Sequence, residues 1–397
     1  MTTASEACIA QAATRARDMA SAVVLLAVAT AIIVTSEFIA VGLLPVMARD
    51  LQISLSEAGR FVAWFAISAA VFGPVLTIAA DRIEPRSVII VTLGVFALGN
   101  LVIAGSSDDR VILLVRVIQG ATLPAFISVG NAAVARLAGA GREGKAISLV
   151  NIGTVAAIVF AVPAGTVLAD RAGWPLCFLL LAGFALIAAI VTRMRFPRLA
   201  RPNPVSVKGQ LAVLTKPVFQ SHLLLSGILF TAMFTAYTYL AGFLQTVAGF
   251  DGTQTGVALF GFGAAGLLGN LVAGWAVDRA MMMATAGLAA LLALANAMVS
   301  LTGGQLAWLM PLLAIWGAAH GAAFVLCQVR VMRAGASAPA FALSLNIAVC
   351  NLGIAVGAIV GGWVVASYGV TAIGYGGAVF ALCALAVAGM IGLKRGL

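Results

Sequence analysis

The sequence predicts an all-α membrane protein whose twelve transmembrane helices form two pseudo-symmetric six-helix bundles. Of its 397 residues, 62% are hydrophobic and only 9% are Asp, Glu, Lys or Arg, and the mean hydropathy is +1.11. A soluble domain carries about 25% charged residues, so this chain cannot cover an ordinary water-facing surface. A soluble enzyme and a nucleic-acid-binding protein are therefore excluded, despite a net charge of +10.

Twelve apolar runs, bounded by charged residues, Pro or Gly, account for most of the chain. A helix needs about 20 residues to cross a bilayer, and each run is long enough. The predicted helices are 20–46, 57–80, 86–106, 111–135, 145–169, 174–194, 217–247, 253–277, 281–303, 307–332, 338–366 and 371–393. The first run exceeds the apolar core of a signal peptide, so we expect the first helix to be retained.

One long polar stretch, 195–216, contains three prolines and lies between the sixth and seventh helices. We predict that it links an N-terminal bundle, 1–194, to a C-terminal bundle, 217–397. With the N-terminus cytoplasmic, 18 of the 23 Lys and Arg residues fall on the cytoplasmic side and four on the other. Basic loops stay in the cytoplasm, so both termini and the linker are predicted to be cytoplasmic.

The two halves repeat at a constant spacing of 197 residues. The matched pairs are Asp81-Arg82 with Asp278-Arg279, Gly120 with Gly317, and Gly165 with Gly362. Each match lies at the corresponding helix of the other half, which indicates duplication of a six-helix unit. Transporters built from such repeats bind their substrates between the repeats, near the bilayer midplane.

Glu37 and Arg116 are the two charged residues that lie inside predicted helices rather than near helix ends. Burying either charge in a membrane is costly, so an ionisable residue there indicates a function. We predict that Glu37 carries a coupled proton and that Arg116 modulates it. The alternative is a static ion pair that holds the first and fourth helices together.

Other polar side chains inside the helices are candidates for substrate binding. His320 could contact a substrate or relay a proton, or it could join two helices. The remaining candidates could equally form interhelical hydrogen bonds, and they are Gln119, Asn131, Tyr237, Tyr239 and Asn346. The five cysteines show no metal-binding spacing, and no clustered catalytic set is present. We therefore expect no metal, no cofactor and no enzymatic activity.

Small residues are placed for close helix packing. Gly353, Gly357 and Gly361 recur every four residues on one face of the eleventh helix, a pattern that lets helix backbones approach closely. Pro163 can kink the fifth helix because it lacks a backbone donor. We assign the same packing role to a further set, Gly120, Gly153 and Gly165.

These motifs resemble the major facilitator superfamily, in particular its twelve-helix drug:proton antiporter branch. The stretch 113–120, with Arg116 and Gly120, is similar to the fourth-helix motif, and 162–165 is similar to the antiporter motif of the fifth helix. The segment 73–86 resembles the gating loop. A closer likeness, to the sugar-efflux and arabinose-efflux-permease-like group, rests on 35–45, 261–279 and 346–362.

The resemblance implies roles for several residues. It associates Arg116 with proton transfer and Glu37 with coupling. It implies a gating function for residues of the two repeated loops, which are Asp81, Arg82, Arg86, Asp278 and Arg279.

The leading functional prediction is a monomeric transporter of a bacterial inner membrane that exports a small organic solute in exchange for protons. The solute could be a drug, a sugar or a nucleoside. Proton-coupled uptake by symport remains an alternative, and a membrane receptor is a more remote one. The predicted partners are the solute, protons and the lipid bilayer, and no nucleic acid.

Overall fold

The computed structural model describes residues 2–80, 82–139, 141–199, 212–303 and 305–393, without the side chains of residues 2–18, 339, 340 and 393. Within these residues, eleven helical spans are long and apolar enough to cross a membrane. They are Met19–Asp50, Leu55–Ala80, Pro85–Gly105, Asp109–Ala138, Glu143–Ala172, Trp174–Arg195, Pro217–Thr246, Gly252–Thr302, Leu306–Ala334, Phe341–Tyr368 and Val370–Gly392. The all-helical membrane fold predicted from the sequence is confirmed.

The span Gly252–Thr302 contains both the predicted eighth and the predicted ninth helix. Its 51 residues would extend about 75 Å if straight, more than twice the hydrocarbon thickness of a bilayer. Ala280 breaks the helix with φ −154° and ψ 59°. The chain therefore turns back there, and the eleven spans make twelve crossings, which we number first to twelfth.

The first helix is longer than the sequence predicts. It is continuous from Thr2 to Asp50, whereas the apolar run begins near residue 20. Polar residues precede the apolar run, and hydropathy alone therefore does not locate this helix start. Only Met19–Asp50 is apolar enough to count as a membrane span.

Matching capping boxes begin the second and eighth helices. The Ser54 hydroxyl accepts a hydrogen bond from the Glu57 backbone N–H, and the Glu57 carboxylate accepts one from the Ser54 N–H. Asp251 and Gln254 form the same reciprocal pair. Each pair satisfies two backbone donors that would otherwise lack partners. The second pair follows the first by 197 residues, the same spacing as the repeats in the sequence.

Glycine contacts repeat the symmetry inside the bundles. A Cβ atom on Gly120 would overlap the Phe65 carbonyl oxygen, and one on Gly317 would overlap the Phe262 carbonyl oxygen. Both members of the second contact lie 197 residues after those of the first. The second and fourth helices thus approach each other in the same way as the eighth and tenth.

The fifth helix changes its winding just before Pro163. Residues Ala157–Ala161 form a π-helical turn, and the Val162 N–H donates to the Ala157 carbonyl. Proline provides no N–H for the α-helical ladder, and single π-turns often accompany such interruptions at functional sites. A Cβ on Gly153 would overlap the Ala27 carbonyl oxygen, and one on Gly165 would lie 2.7 Å from the Ile39 side chain.

The two bundles meet at the end opposite the linker. We call the linker end the one at which the sixth helix ends, at Arg195, and the seventh begins, at Pro217. At the opposite end, the Ser56 hydroxyl of the second helix donates to the Gly362 carbonyl of the eleventh at 2.8 Å. Residues 200–211 of the predicted linker lie outside the described residues.

Candidate functional site

A cavity of about 430 Å³ lies between the two bundles. Its wall runs from buried Glu37 and Tyr237 to Asn151 and Gln328, which are exposed towards the linker end. At the opposite end, the bundles are in contact, as the bond from Ser56 shows. The cavity is therefore closed at the opposite end and opens towards the linker end.

Glu37 provides the charged part of the cavity wall. Its side chain lines the cavity and is only 9% exposed. Within the described part of the chain, no donor lies within hydrogen-bonding distance of its carboxylate, and it forms no ion pair. The carboxylate is therefore available to a proton or to a solute that enters the cavity.

Arg116 forms its hydrogen bonds with the backbone beside Glu37 rather than with the Glu37 carboxylate. The guanidinium donates to the carbonyls of Ser36 and Glu37, both at 2.7 Å, and to that of Phe61 at 3.2 Å. It also lies 4.4 Å from the centre of the Phe65 ring. Arg116 is only 1% exposed. Its three carbonyl acceptors offset the cost of removing its charge from water. Arg116 and Glu37 are neighbours in the structure, but the direct ion pair considered from the sequence is not formed.

The C-terminal bundle supplies an aromatic wall, which we define as the rings around His320. Their centroids lie 4.7 Å from the imidazole for Tyr237, 5.4 Å for Phe234 and Phe262, and 5.9 Å for Phe324. All four rings and His320 line the cavity. These phenylalanines were not predicted as site residues, because an apolar ring in an apolar helix carries no distinguishing signal in the sequence.

Carboxamides line the cavity on the linker side of the aromatic wall. The Oδ1 atoms of Asn270, Asn346 and Asn351 are buried and have no hydrogen-bond partner among the described residues, and the same holds for Nδ1 of His320. All four residues line the cavity. Buried polar atoms normally have a partner, so these groups can bind polar atoms of a solute.

Three predicted substrate-binding residues do not line the cavity. Gln119 donates to Asn100 at 3.0 Å, in a buried network between the third and fourth helices. The Tyr239 hydroxyl donates to the Ala358 carbonyl at 2.8 Å and thereby joins the seventh and eleventh helices. Asn131 is half-buried in the fourth helix, away from this wall. The structure thus brings Glu37, Tyr237, His320 and Asn346 together at the cavity and leaves these three outside it.

The predicted gating residues that the structure describes lie at the linker end. Arg333 forms an ion pair with Asp278 at 2.7 Å, and the Arg279 guanidinium lies 4.0 Å from the Trp275 ring centre. Arg82 is exposed and Arg86 is half-buried. Asp81 lies outside the described residues.

Arg330 is a buried charge that the sequence did not reveal. It was counted among the residues of the cytoplasmic surface, yet it is fully buried and donates to the Ser226 hydroxyl at 3.0 Å. The tenth helix continues to Ala334, so Arg330 lies about one turn inside the helix rather than at its end. A two-residue difference in the predicted helix end accounts for the error.

Comparisons with known proteins agree with this architecture. The sequence model of the Major Facilitator Superfamily matches residues 26–339. The chain is 30% identical to inner membrane transport protein YdhP of Escherichia coli K12 over 333 residues, covering 84% of this chain and 86% of that protein. It is 29% identical to the uncharacterized MFS-type transporter YtbD of Bacillus subtilis, covering 88% and 89% of the two chains.

Solved structures show the same fold. A bacterial homolog of the human lysosomal transporter Spinster, in an inward-facing and occupied conformation, superimposes with a TM-score of 0.75 at 15% identity, over 94% of this chain and 96% of that one. A central cavity between two six-helix bundles and a family match over most of the sequence lead to one assignment. The chain belongs to the major facilitator superfamily.

Proposed function

We propose that this transporter exports small aromatic cations in exchange for protons. As a member of the superfamily it is a multi-pass membrane transporter that works by alternating access, and it is not an enzyme. The observation that carries the proposal is the placement of one carboxylate, Glu37, on a cavity wall opposite a cluster of aromatic rings.

The carboxylate provides the coupling. Among the described residues that line the cavity, Glu37 is the only one with a charged side chain. A proton and a cationic solute therefore compete for the same group, because each neutralises it. When the cation binds, the proton leaves, and when a proton binds on the other side of the membrane, the cation is released. This competition is sufficient for antiport.

The aromatic wall provides the solute preference. Ring faces attract cations within about 6 Å of the ring centre, and more strongly when water is excluded. The rings of Tyr237 and Phe262 are stacked, with centroids 5.2 Å apart and planes 22° apart, and they offer flat surfaces to a flat solute. A sugar would need many hydrogen-bonding groups, and this part of the wall presents few. Aromatic solutes therefore fit this part of the cavity better than sugars.

Everted membrane vesicles provide the test, with ethidium as a fluorescent aromatic cation. A pH gradient with the acidic side in the vesicle lumen should drive ethidium accumulation by the wild type. Adding ethidium should in turn release protons from the lumen. Glu37→Gln keeps the shape of the side chain but cannot ionise, so gradient-driven accumulation should be lost. Glu143→Gln, at the start of the fifth helix and outside the cavity wall, is the matched control.

Two results would overturn the proposal. Accumulation by Glu37→Gln at the wild-type rate would exclude this carboxylate as the coupling group. Proton movement in the same direction as the solute would exclude antiport and favour the uptake alternative.

A further inference from the structure

A second cavity, distinct from the central one, lies on the outer surface of the N-terminal bundle. It is a groove of about 430 Å³ between the third and sixth helices at the linker end. Its charged lining consists of Arg86 at the start of the third helix and of Arg193 and Arg198 at the end of the sixth, together with Glu84. None of these four residues lines the central cavity.

The three arginines of this groove have no acidic partner in the part of the chain that the structure describes. Within the described residues, none of their side chains lies within 4.0 Å of a carboxylate, whereas Arg60 and Arg333 elsewhere in the chain form ion pairs. A guanidinium carries five N–H donors in a planar fork that matches phosphate oxygens. Three guanidiniums around one groove, without a carboxylate partner among the described residues, therefore form a site with a strong preference for a phosphate group.

Glu84 adds a hydrogen-bond acceptor to this positive site. Its Oε2 accepts from the Ser87 hydroxyl at 3.4 Å, and its Oε1 is buried with no donor among the described residues. The net charge of the lining is +2, so the groove favours a ligand with a net negative charge. The free carboxylate oxygen additionally favours a ligand that carries a hydroxyl group next to the phosphate.

The groove is polar at the membrane surface and apolar below it. Val91 lies about 7–8 Å further along the third helix than Arg86, and 63% of its side chain is exposed. Ile90 lies beside it in the groove lining. A ligand with a phosphate at one end and a hydrocarbon chain at the other would contact both parts.

We propose that this groove binds the headgroup of an anionic phospholipid of the phosphatidylglycerol type. Arg86, Arg193 and Arg198 donate to the phosphate oxygens, Glu84 accepts from a glycerol hydroxyl, and an acyl chain lies along Val91. Basic pockets between transmembrane helices on the cytoplasmic side are suited to anionic headgroups. The site is independent of the transported solute, since it lies outside the central cavity.

Native mass spectrometry of the full-length protein, stripped of lipid and titrated with single lipids, tests the proposal. Phosphatidylglycerol should bind more tightly than phosphatidylcholine, which has the phosphate but no net charge and no hydroxyl. Arg193→Gln/Arg198→Gln should weaken phosphatidylglycerol binding about 30-fold. Each basic residue near a membrane surface contributes about 1 kcal/mol to the binding of anionic lipid, and about 1.4 kcal/mol corresponds to a tenfold change in affinity. Arg142→Gln/Lys145→Gln removes two exposed charges at the start of the fifth helix, at the same end of the molecule, and should leave binding unchanged.

Each contrary outcome overturns the assignment. Equal affinity for phosphatidylcholine and phosphatidylglycerol in the wild type, which requires no variant, would exclude an anionic-lipid site. An equal loss in both double variants would indicate general surface electrostatics rather than this groove. Displacement of the lipid by inorganic phosphate, with equal thermal stabilisation, would assign the site to a soluble anion instead.

Discussion

Replacing Gly357 tests how closely the seventh and eleventh helices must pack. A Cβ atom at Gly357 would lie 2.8 Å from the Thr231 carbonyl oxygen and 2.9 Å from the Thr235 nitrogen. Ordinary contacts of a Cβ begin at 3.4 Å, so alanine alone requires the backbones to separate by about 0.6 Å, the difference between 3.4 and 2.8 Å. Leucine places three further carbon atoms in the same gap.

The energetic effect follows from this overlap. Overpacking an interior contact costs about 1–3 kcal/mol. We expect Gly357→Ala to lower the free energy of unfolding by about 1 kcal/mol and Gly357→Leu by about 3 kcal/mol or more. Gly353 and Gly361 also pack against the seventh helix. A small shift of the single turn around Gly357 therefore cannot relieve the overlap. Transport by Gly357→Leu should be lost as well.

Unfolding by titration with SDS measures the change, and Gly389→Leu is the matched control. Gly389 lies in the twelfth helix, and a Cβ there would meet no atom within 4 Å. The control should retain wild-type stability, because a leucine at this position faces open space. Equal stability of the two leucine variants would show that the stripe does not hold the helices together, and the reasoning from Cβ distances would be refuted.

Four further predictions concern other parts of the chain. Arg116→Ala removes the hydrogen bonds of a charged donor to three helix carbonyls, each worth about 1.5–3 kcal/mol, so the free energy of unfolding in SDS should fall markedly; unchanged stability would limit Arg116 to proton transfer. A cysteine placed at Pro204 should resist an impermeant thiol reagent in intact cells, and rapid labelling would reverse the predicted orientation. Tyr237→Leu should weaken ethidium binding, measured by fluorescence titration, with little effect on stability. Tyr239→Phe should instead lose about 1 kcal/mol of stability and keep the affinity; the reverse pattern would contradict the placement of the two rings.

The fold was largely predictable from the sequence because membrane helices carry a strong signal. Apolar runs of sufficient length located every span, and the 197-residue repeat reappears in the capping boxes and in the glycine contacts. Helix ends were less well predicted. The start of the first helix was missed because the residues before Met19 are more polar than the membrane span. The break at Ala280, by contrast, directly follows Asp278-Arg279 and lies in the predicted gap between the eighth and ninth helices.

The site was predictable only where a residue was chemically unusual for its surroundings. Glu37 and Arg116 are charges in apolar helices, and His320 is a rare polar ring. Which face of a helix a residue occupies depends on the rotation of the helix, which a nearly uniform apolar sequence does not specify. For that reason Tyr237 and Tyr239, two residues apart, could not be separated, although one lines the cavity and the other bonds to a neighbouring helix.

The contacts of Arg116 also explain how a solute in the cavity could control the movement of the bundles. Arg116 joins the first, second and fourth helices through backbone carbonyls, so Glu37 keeps a fixed place within the N-terminal bundle. The aromatic wall belongs entirely to the C-terminal bundle. A cation held between the carboxylate and the rings must therefore lose one set of contacts when the bundles separate around it. In the proposed antiport, protonation of Glu37 would remove the attraction from one side only and would thereby weaken the link that a bound cation makes between the two bundles.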